Sequence, residues 1–358
     1  MTSQPATDAI SGGADLTVEF LSRVLAGHLD GALVDAVEIE PVGTGQVSDT
    51  YRLRVAYSST GHGLPATLIA KVPAADQASR AAARSFRTYE IEASFYAQVA
   101  PELPVALPAC FYAAYDLEPD EYVVLLADLA PAQPGDQLAG LSADEAAAAI
   151  GELALLHAAG WDSHELAALP WLNRSSPAAS AFMSTVVTDL FPGFRDRYAG
   201  QLEPGTLELI EDFVPRAGRY LSDRREPRTI VHGDFRADNL LFGPERPVVL
   251  DWQTASFGSA TSDLSYFLGS SLPVAVRQEH EQALVRQYHS ILASRGVPLT
   301  WADCWDGYRR NALAGLVMDI IAAMVVQQTV RGDVMFAAMA SRHAQHALDL
   351  GALALVGD

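Results

Sequence analysis

The chain has almost no lysine and almost no cysteine. Among its 358 residues, Lys71 is the only lysine, and Cys110 and Cys304 are the only cysteines. Two cysteines are too few for a disulfide framework or a cysteine-based metal site, so we interpret both as buried or partly buried thiols. Positive charge is scarce as well, because 24 Lys and Arg stand against 44 Asp and Glu, a formal net charge of -20. That field would repel a nucleic acid, and no basic stripe offsets it, so we predict no nucleic-acid partner.

The sequence also lacks a long apolar run and a secretory signal. The most apolar stretch, 312–326, is interrupted by Asp319 and is shorter than the roughly 20 residues that a membrane span requires. Residues 1–15 have neither a basic start nor an apolar segment. We therefore predict no membrane span and a cytoplasmic protein. The composition does supply a sizeable core, since 49% of the residues are hydrophobic and 19% are charged.

Hydrophobic periodicity predicts a β-rich first part and a mainly helical remainder. Residues 1–13 are predicted to be a flexible tail, and 16–29 has the spacing of a helix. Alternating patterns and turn residues then predict five strands, over 37–42, 51–57, 67–72, 110–115 and 122–126, with a helix over 79–100 after the third. Four long helical segments are predicted beyond residue 140, over 142–159, 205–221, 275–294 and 301–355. Ser142 and Glu145 form a potential capping box at the start of the first.

The most informative segment reads VHGDFRADN over 231–239, followed by VVLDW over 248–252. Asn239 lies five residues after Asp234, and Asp251 lies seventeen after it. Phosphoryl transfer requires a carboxylate near the attacking hydroxyl and oxygen ligands that hold magnesium against the phosphates. An Asp and an Asn in one fixed loop, with a second Asp closing an apolar strand, can perform those tasks. The alternative is a loop whose polar residues only cap turns.

These two segments resemble the catalytic and metal-binding loops of aminoglycoside phosphotransferases and related small-molecule kinases. The resemblance covers about 37–267 and implies ATP and Mg²⁺ as cofactors. It implies Asp234 as the catalytic base, with Arg236 placed to reach the transferring phosphate, and it implies Asn239 and Asp251 as magnesium ligands. His232 would brace the loop, next to Gly233, where relatives tolerate no side chain.

The resemblance also implies the fold class and a supporting residue. It implies an α+β, bilobal, protein-kinase-like fold. A small β-rich N-terminal lobe over 1–127 would bind the nucleotide, and a larger, mainly helical lobe over 128–358 would carry catalysis and substrate binding. Asp263 matches a family aspartate that supports the catalytic loop from the following helix, although a helix N-cap is an equal alternative.

Upstream residues fit nucleotide binding. Gly43, Gly45 and Ser48 lie in a turn between two predicted strands, which can present N–H groups to phosphates, although a plain glycine hairpin explains them too. Lys71 stands in an apolar strand of a chain that otherwise uses arginine, and a compact ammonium suits a phosphate. We predict Glu92 as its acidic partner.

The choice between two glutamates follows from helical geometry. Glu92 shares its helix face with Phe95 and Tyr96, whereas Glu90 lies about 200° around the helix, next to Arg87. The setting E-x-x-F-Y resembles the ecdysteroid-kinase-like branch of this fold. The run 122–129 resembles the strand and hinge between the lobes, so the backbone near Ala127 and Leu129 is predicted to meet the adenine.

The substrate is predicted to be a small molecule that carries a hydroxyl group. The interval from Asp251 to Asp263 is too short for an activation segment that docks a peptide. A pocket lined by Trp and Met of the last segment (Trp301, Trp305, Met318, Met324 and Met335) would favour a bulky apolar alcohol, although a plain helix core explains these residues too. An antibiotic-resistance kinase for an aminoglycoside or macrolide, and a catalytically silent nucleotide-binding scaffold, are the alternatives. The oligomeric state is not predicted.

Overall fold

The computed structural model describes residues 8–43, 47–59, 63–118, 120–223 and 227–356. They belong to two compact units. Unit 1 comprises Met1–Leu103, Leu107–Pro131 and Asp251–Thr254. Unit 2 comprises Pro104–Ala106, Ala132–Leu250 and Ala255–Asp358.

Unit 1 is built on a five-stranded antiparallel sheet. Its strands are β1 (Val34–Pro41), β2 (Ser48–Tyr57), β3 (Thr67–Pro73), β4 (Cys110–Asp116) and β5 (Glu121–Ala127), in the order β1-β2-β3-β5-β4. Side chains alternate across a strand, so the core face of β3 carries Leu68, Ala70 and Val72, all fully buried, and Lys71 projects from the other face. All five predicted strands are confirmed within a few residues.

The α-helices in the described residues of unit 1 are α1 (Val18–Val24), α2 (Gln77–Phe86) and α3 (Thr88–Gln98). The prediction of one helix over 79–100 was wrong, because Arg87 adopts a left-handed conformation (φ 59°) and ends α2 before α3 begins. The predicted tail over 1–13 needs a correction too. Ile10 is buried and its carbonyl accepts a 2.9 Å hydrogen bond from Tyr122 N, so this part of the tail is held by β5. Residues 1–7 lie outside the described residues.

Unit 2 is mainly helical. Its α-helices are α4 (Ala143–Ala159), α5 (His164–Ala167), α6 (Pro177–Tyr198), α7 (Pro204–Phe213), α8 (Ala217–Ser222), α9 (Ala260–Ser271), α10 (Val274–Ser294), α11 (Trp301–Asn311), α12 (Ala314–Val325) and α13 (Val330–Leu350). Its short strands are β6 (Gln133–Pro134), β7 (Thr229–Val231), β8 (Leu240–Phe242), β9 (Val248–Val249) and β10 (Ser256–Gly258). The α+β fold class is therefore confirmed, with an antiparallel sheet towards the N-terminus and a mostly helical remainder.

Helix boundaries in unit 2 follow local capping where the sequence shows it. The capping box of Ser142 and Glu145 opens α4 as predicted. The helical segments predicted over 205–221 and 301–355 are helical in the structure, but each is divided into shorter helices. Pro215 lies in a 3₁₀ turn that separates α7 from α8, and Thr329 caps α13 by accepting a hydrogen bond from Gly332 N. In the described part of the chain, no helix is long and apolar enough to cross a membrane.

Two strand pairs fix the ends of the loop that carries the informative motif. β7 pairs with β10 in the register Val231 to Ser256, and β8 pairs with β9 in the register Leu240 to Val249. The loop 232–239 therefore starts and ends on paired backbone. This arrangement restricts the loop on both sides before any of its side chains is considered.

Candidate active site

In unit 1, Lys71 is held between two carboxylates. Its Nζ donates to Glu92 Oε1 at 2.6 Å and to Asp251 Oδ1 at 2.8 Å. Burial disfavours the charged ammonium, but the charges of Asp251 and Glu92 outweigh it and raise the pKa of Lys71 above its ordinary value. Lys71 is therefore a permanently charged ammonium. Glu90, by contrast, forms an ion pair with Arg87.

Glu92 is fixed on its other side by a tyrosine. Tyr122 donates from its hydroxyl to Glu92 Oε2 at 2.5 Å, and its ring stacks on Tyr89 at 4.7 Å between ring centroids. Tyr89 in turn donates to the carbonyl of Val47 at 2.7 Å. Burial raises the pKa of Glu92, and Lys71 opposes that rise. This chain of contacts connects the lysine–glutamate pair to the backbone of Val47, immediately before β2.

Asp251 occupies a special backbone position in unit 1. Its φ is +65°, a backbone conformation that residues other than glycine seldom adopt. Oδ1 accepts from Lys71, and Oδ2 accepts from Gln253 at 3.3 Å. The neighbouring Trp252 is fully buried and stacks on Phe95 at 3.9 Å between centroids. The buried tryptophan therefore anchors the segment that presents Asp251.

The other predicted nucleotide-binding residues of unit 1 lie at the ends of strands. Gly43 follows β1 with φ +75°, and Ser48 is the buried first residue of β2. Gly45 lies outside the described residues. Ala127 ends β5, and its N–H already donates to the carbonyl of Ala109 at 2.8 Å. Leu129 follows two residues later and is half-buried.

In unit 2, a buried aspartate holds the start of the loop 232–239. Asp263 accepts from His232 N at 2.6 Å and from Gly233 N at 2.9 Å. The N-cap of α9 is Ser259, so Asp263 is not an N-cap and supports the loop instead. Gly233 has φ +83°, a conformation that favours glycine. His157, the buried histidine of α4, contacts Asp263 at 3.3 Å.

His232 braces the loop from within. Its Nε2 lies 2.8 Å from the carbonyl of Leu250, which can only accept, so Nε2 carries the proton. Nδ1 is then the acceptor for Asp234 N at 3.2 Å. Leu250 N also donates to the carbonyl of Asn239 at 2.9 Å. The partners of His232 thus fix both its tautomer and the loop backbone.

The carboxylate of Asp234 receives three donors in unit 2. Oδ1 accepts from the hydroxyl of Tyr266 at 2.6 Å. Oδ2 accepts from Asn239 Nδ2 at 2.9 Å and from Arg236 Nε at 3.2 Å. Asn239 Nδ2 also donates to the carbonyl of Asp234 at 2.8 Å. Asn239 thus donates both of its amide hydrogens to Asp234, and its amide oxygen can accept or coordinate another partner.

Arg236 links Asp234 to a second carboxylate and to α13. Its Nη1 donates to Asp238 Oδ2 at 3.0 Å and approaches the sulfur of Met335 at 3.7 Å. Burial opposes its charge, but the carboxylates of Asp234 and Asp238 raise the pKa of Arg236. The guanidinium is therefore charged and held next to Asp234.

The tryptophans and methionines predicted to line an apolar pocket do not line the cavity described in unit 2. Trp301 stacks on Trp305 at 5.7 Å, and Trp305 stacks on Tyr308 at 5.4 Å, so these rings pack along α11. A cavity of about 520 Å³ lies within unit 2, and the described residues that line it include none of the five predicted ones. Of those five, Met335 contacts the motif loop through Arg236.

Sequence reasoning assigned no role to two tyrosines that the structure places at these sites. Tyr122 contacts Glu92, and Tyr266 contacts Asp234. The sequence did contain an indication that Tyr266 lies near the loop. It follows Asp263 by three residues on one helix, so both residues lie on the same side of α9. His343 and His346 are buried, and the described residues contain no group of three or more His, Cys, Asp or Glu that could hold a metal.

Comparisons with known proteins identify a family for most of the chain. Residues 43–296 match the model of the ecdysteroid kinase-like family. Acyl-CoA dehydrogenase family member 10 of Mus musculus is 44% identical over 59 residues, which are 14% of this chain and 6% of that protein. The chain thus matches only a small part of that relative's length.

Two solved structures share the fold. Choline kinase from Cryptosporidium parvum superimposes with a TM-score of 0.53 at 11% identity, covering 93% of this chain and 95% of that one. The gentamicin complex of APH(2″)-IIa superimposes with a TM-score of 0.52 at 14% identity, covering 95% and 97%. The family match spans more than half of the sequence. The chain therefore belongs to the ecdysteroid kinase-like family, among the small-molecule kinases with a protein-kinase-like fold.

Proposed function

We propose that the protein transfers the terminal phosphoryl group of ATP to a hydroxyl group of a small molecule, with Asp234 as the base. The observation that carries this proposal is the carboxylate of Asp234, oriented by Arg236, Asn239 and Tyr266 on a loop fixed by Asp263. A carboxylate held in this way can receive the proton of an attacking hydroxyl. As the substrate oxygen forms its bond to phosphorus, its proton passes to Asp234, and the bond to the ADP oxygen breaks.

Unit 1 supplies the groups that we assign to the nucleotide. Lys71 is a charged ammonium suited to a phosphate, and Glu92 and Tyr122 hold it in place. We assign the backbone N–H groups of the glycine-containing segment that begins at Gly43 to the phosphates. We assign the backbone near Ala127 and Leu129 to the adenine; the N–H of Ala127 already donates to the carbonyl of Ala109, so its carbonyl is the group we assign there.

The residues proposed as magnesium ligands have the right chemistry. Mg²⁺ prefers oxygen ligands. Asn239 can offer its amide oxygen to the ion, because its amide nitrogen already donates to Asp234. Asp251 offers a carboxylate, the other oxygen ligand that we propose. When bound, Mg-ATP supplies the phosphoryl group and the cation that neutralises its charge. Arg236 adds a fixed positive charge for the transferring group.

We further propose a bulky, largely apolar alcohol as the substrate. The first turns of α13 are tied to the loop of Asp234, because Arg331 contacts Asp238 at 3.3 Å. On these turns Val330 is 86% exposed and Val334 is 49% exposed, so apolar side chains are available to a substrate beside the charged residues. The family is named for kinases of ecdysteroids, which are sterol-derived alcohols.

The carboxylates of this region do not favour a polycation such as an aminoglycoside. Asp238 is paired with Arg236 and Arg331. Asp333 accepts from Tyr198 at 2.8 Å and from a glutamine, and Asp319 is buried against a histidine. Each of these three carboxylates therefore already has at least one hydrogen-bond or ion-pair partner within the protein.

The test is phosphate transfer from Mg-ATP, measured as ADP release and confirmed by mass spectrometry of the product. The acceptors are an ecdysteroid, hydroxylated fatty-acyl thioesters, a macrolide, an aminoglycoside and choline. The thioesters are included because of the name of the acyl-CoA dehydrogenase relative. We expect transfer to one of the two apolar classes, and loss of at least about a hundredfold in kcat for Asp234→Asn, because the base is removed.

Asp306→Asn is the matched control, since it removes an exposed carboxylate on α11. It should keep wild-type turnover. Transfer to the aminoglycoside or macrolide alone would refute the apolar substrate and identify an antibiotic kinase. Binding of Mg-ATP without transfer to any acceptor, water included, would refute the enzyme and favour a nucleotide-binding scaffold.

A further inference from the structure

The carboxylate of Asp234 is hydrogen-bonded unevenly. Oδ2 receives two donors, Arg236 Nε and Asn239 Nδ2. Within the described part of the chain, Oδ1 receives one donor, the hydroxyl of Tyr266, at 2.6 Å. Each carboxylate oxygen accepts about two hydrogen bonds, so Oδ2 is full and Oδ1 has one site left. An incoming hydroxyl can therefore bind only at Oδ1, next to Tyr266.

Tyr266 is itself held from behind by His343. The backbone carbonyl of Tyr266 lies 3.2 Å from His343 Nε2, and the two rings stack at 5.1 Å between centroids. His343 Nδ1 lies 2.7 Å from Asp319 Oδ2, and both side chains of this pair are buried. Asp234, Tyr266, His343 and Asp319 thus form one chain of contacts from α12 and α13, through α9, to the loop 232–239.

Two glycines on neighbouring helices leave room for the imidazole of His343. A Cβ at Gly315, on α12, would lie 2.3 Å from His343 Cγ. A Cβ at Gly269, on α9, would lie 2.7 Å from His343 Cδ2. Real Cβ contacts are essentially never that short. Glycine at both positions therefore permits three helices to close around His343.

The hydrogen bonds of His343 fix its protonation together with that of Asp319. The carbonyl of Tyr266 can only accept, so Nε2 carries a proton. The short contact between Nδ1 and Asp319 requires one more proton, on either partner. The pair is therefore neutral as a whole. Burial raises the pKa of Asp319, His343 opposes that rise, and the charge of Asp234 adds to it.

We propose that Tyr266 is a positioning residue that reserves Oδ1 of Asp234 for the substrate hydroxyl, and that His343, paired with Asp319, sets the position of Tyr266. The inference rests on the proposed function of Asp234 as the base. Tyr266 occupies one acceptor direction of Oδ1, so the acceptor hydroxyl enters along the other. Without that anchor, the carboxylate is held through Oδ2 alone and can rotate about it.

The first experiment compares Tyr266→Phe with the wild type, using Mg-ATP as donor and an ecdysteroid or, in its absence, water as acceptor. The control is Tyr220→Phe, which also removes a buried tyrosine hydroxyl, here bonded to Asn311 at 2.9 Å. A hydrogen bond to a charged group is worth about 1.5–3 kcal/mol, which corresponds to a fall in kcat of about tenfold to about a hundredfold. We expect that fall for Tyr266→Phe, KM values for Mg-ATP and acceptor within about twofold, and no change for Tyr220→Phe. An unchanged kcat, or a rise in acceptor KM with no loss of kcat, overturns the proposal.

A double-mutant cycle tests the role of His343. His343→Gln keeps an amide donor near the position of Nε2, so it should retain more turnover than His343→Ala. If His343 acts through Tyr266, adding His343→Gln to Tyr266→Phe should cost less than about half of what it costs in the wild type. Additive effects would overturn this step. An inactive wild type would refute the proposed function instead, and an active wild type with an unchanged Tyr266→Phe would refute the present inference alone.

Discussion

Lys71 donates a 2.6 Å hydrogen bond to Glu92, and the two side chains are 12% and 2% exposed. The chain thus places its sole lysine in a nearly closed environment, between two carboxylates of unit 1. A charge in such a place is stable only while its partners remain. Substitution of Lys71 therefore tests both the free energy of unfolding and the affinity for nucleotide.

Lys71→Met should destabilise the protein by about 3 kcal/mol, because Glu92 would lose its partner in a buried site. It should also weaken ATP binding at least about tenfold. Urea unfolding and calorimetric titration with Mg-ATP measure the two effects. Arg84→Met is the control, since it removes an exposed ion pair with Glu118 that is worth less than about 1 kcal/mol. Equal losses for the two variants would contradict a special role for the buried pair.

Asp251→Asn should reduce ATP affinity in the presence of magnesium, since the variant keeps the shape of the side chain but loses the charge that favours the cation. We expect a loss of about tenfold or more by titration. Removal of magnesium with EDTA should weaken binding to the wild type but change the variant much less. Asp35→Asn, at an exposed position on β1, should behave as wild type. A variant that keeps the full magnesium effect would exclude Asp251 as a ligand.

Gly315→Ala should lower the free energy of unfolding by about 1–3 kcal/mol, because its methyl group would overlap the ring of His343. Gly151→Ala is the matched control on α4, where a Cβ meets nothing within 4 Å. That substitution should stabilise by about 0.5–1 kcal/mol, since alanine is the better helix former. Guanidinium unfolding of both variants is the measurement. The same sign of change in both would argue against close packing around His343.

Because of His346, the free energy of unfolding should decrease in mild acid. Burial lowers its pKa to about 4, whereas an exposed histidine has a pKa near 6.5. The groups that face it are Tyr308 and Glu281, with Arg277 and His343 nearby. Between those pH values the unfolded chain binds a proton that the folded protein does not, so stability is full above about pH 6.5 and falls towards pH 4, by about 3 kcal/mol.

His346→Gln is the variant that isolates this contribution. It keeps an amide near Tyr308 but cannot titrate, so its stability should fall less steeply than that of the wild type between pH 7 and pH 5. Thermal unfolding across that range supplies the comparison. Parallel curves for the two proteins would show that His346 does not carry the acid sensitivity.

The strands of unit 1 and the motif loop of unit 2 could be predicted because their signals are local. Leu68, Ala70 and Val72 alternate with Lys71, and a half-buried strand imposes that period. The capping box that begins α4 is equally local. Helix ends without such signals were missed, as at Arg87, where a left-handed residue breaks a segment whose composition suits a continuous helix. The helix α6 was not predicted either.

The sequence by itself determined which chemical groups are present and in what order: an Asp and an Asn on one loop, a later Asp, and one lysine among arginines. Those facts depend on spacing along the chain, which folding does not change. Only the tertiary structure decided that Tyr266 donates to Asp234 and that Tyr122 holds Glu92. Both contacts join residues that are about 30 positions apart in sequence, and side-chain packing, which has no local signature, selects them.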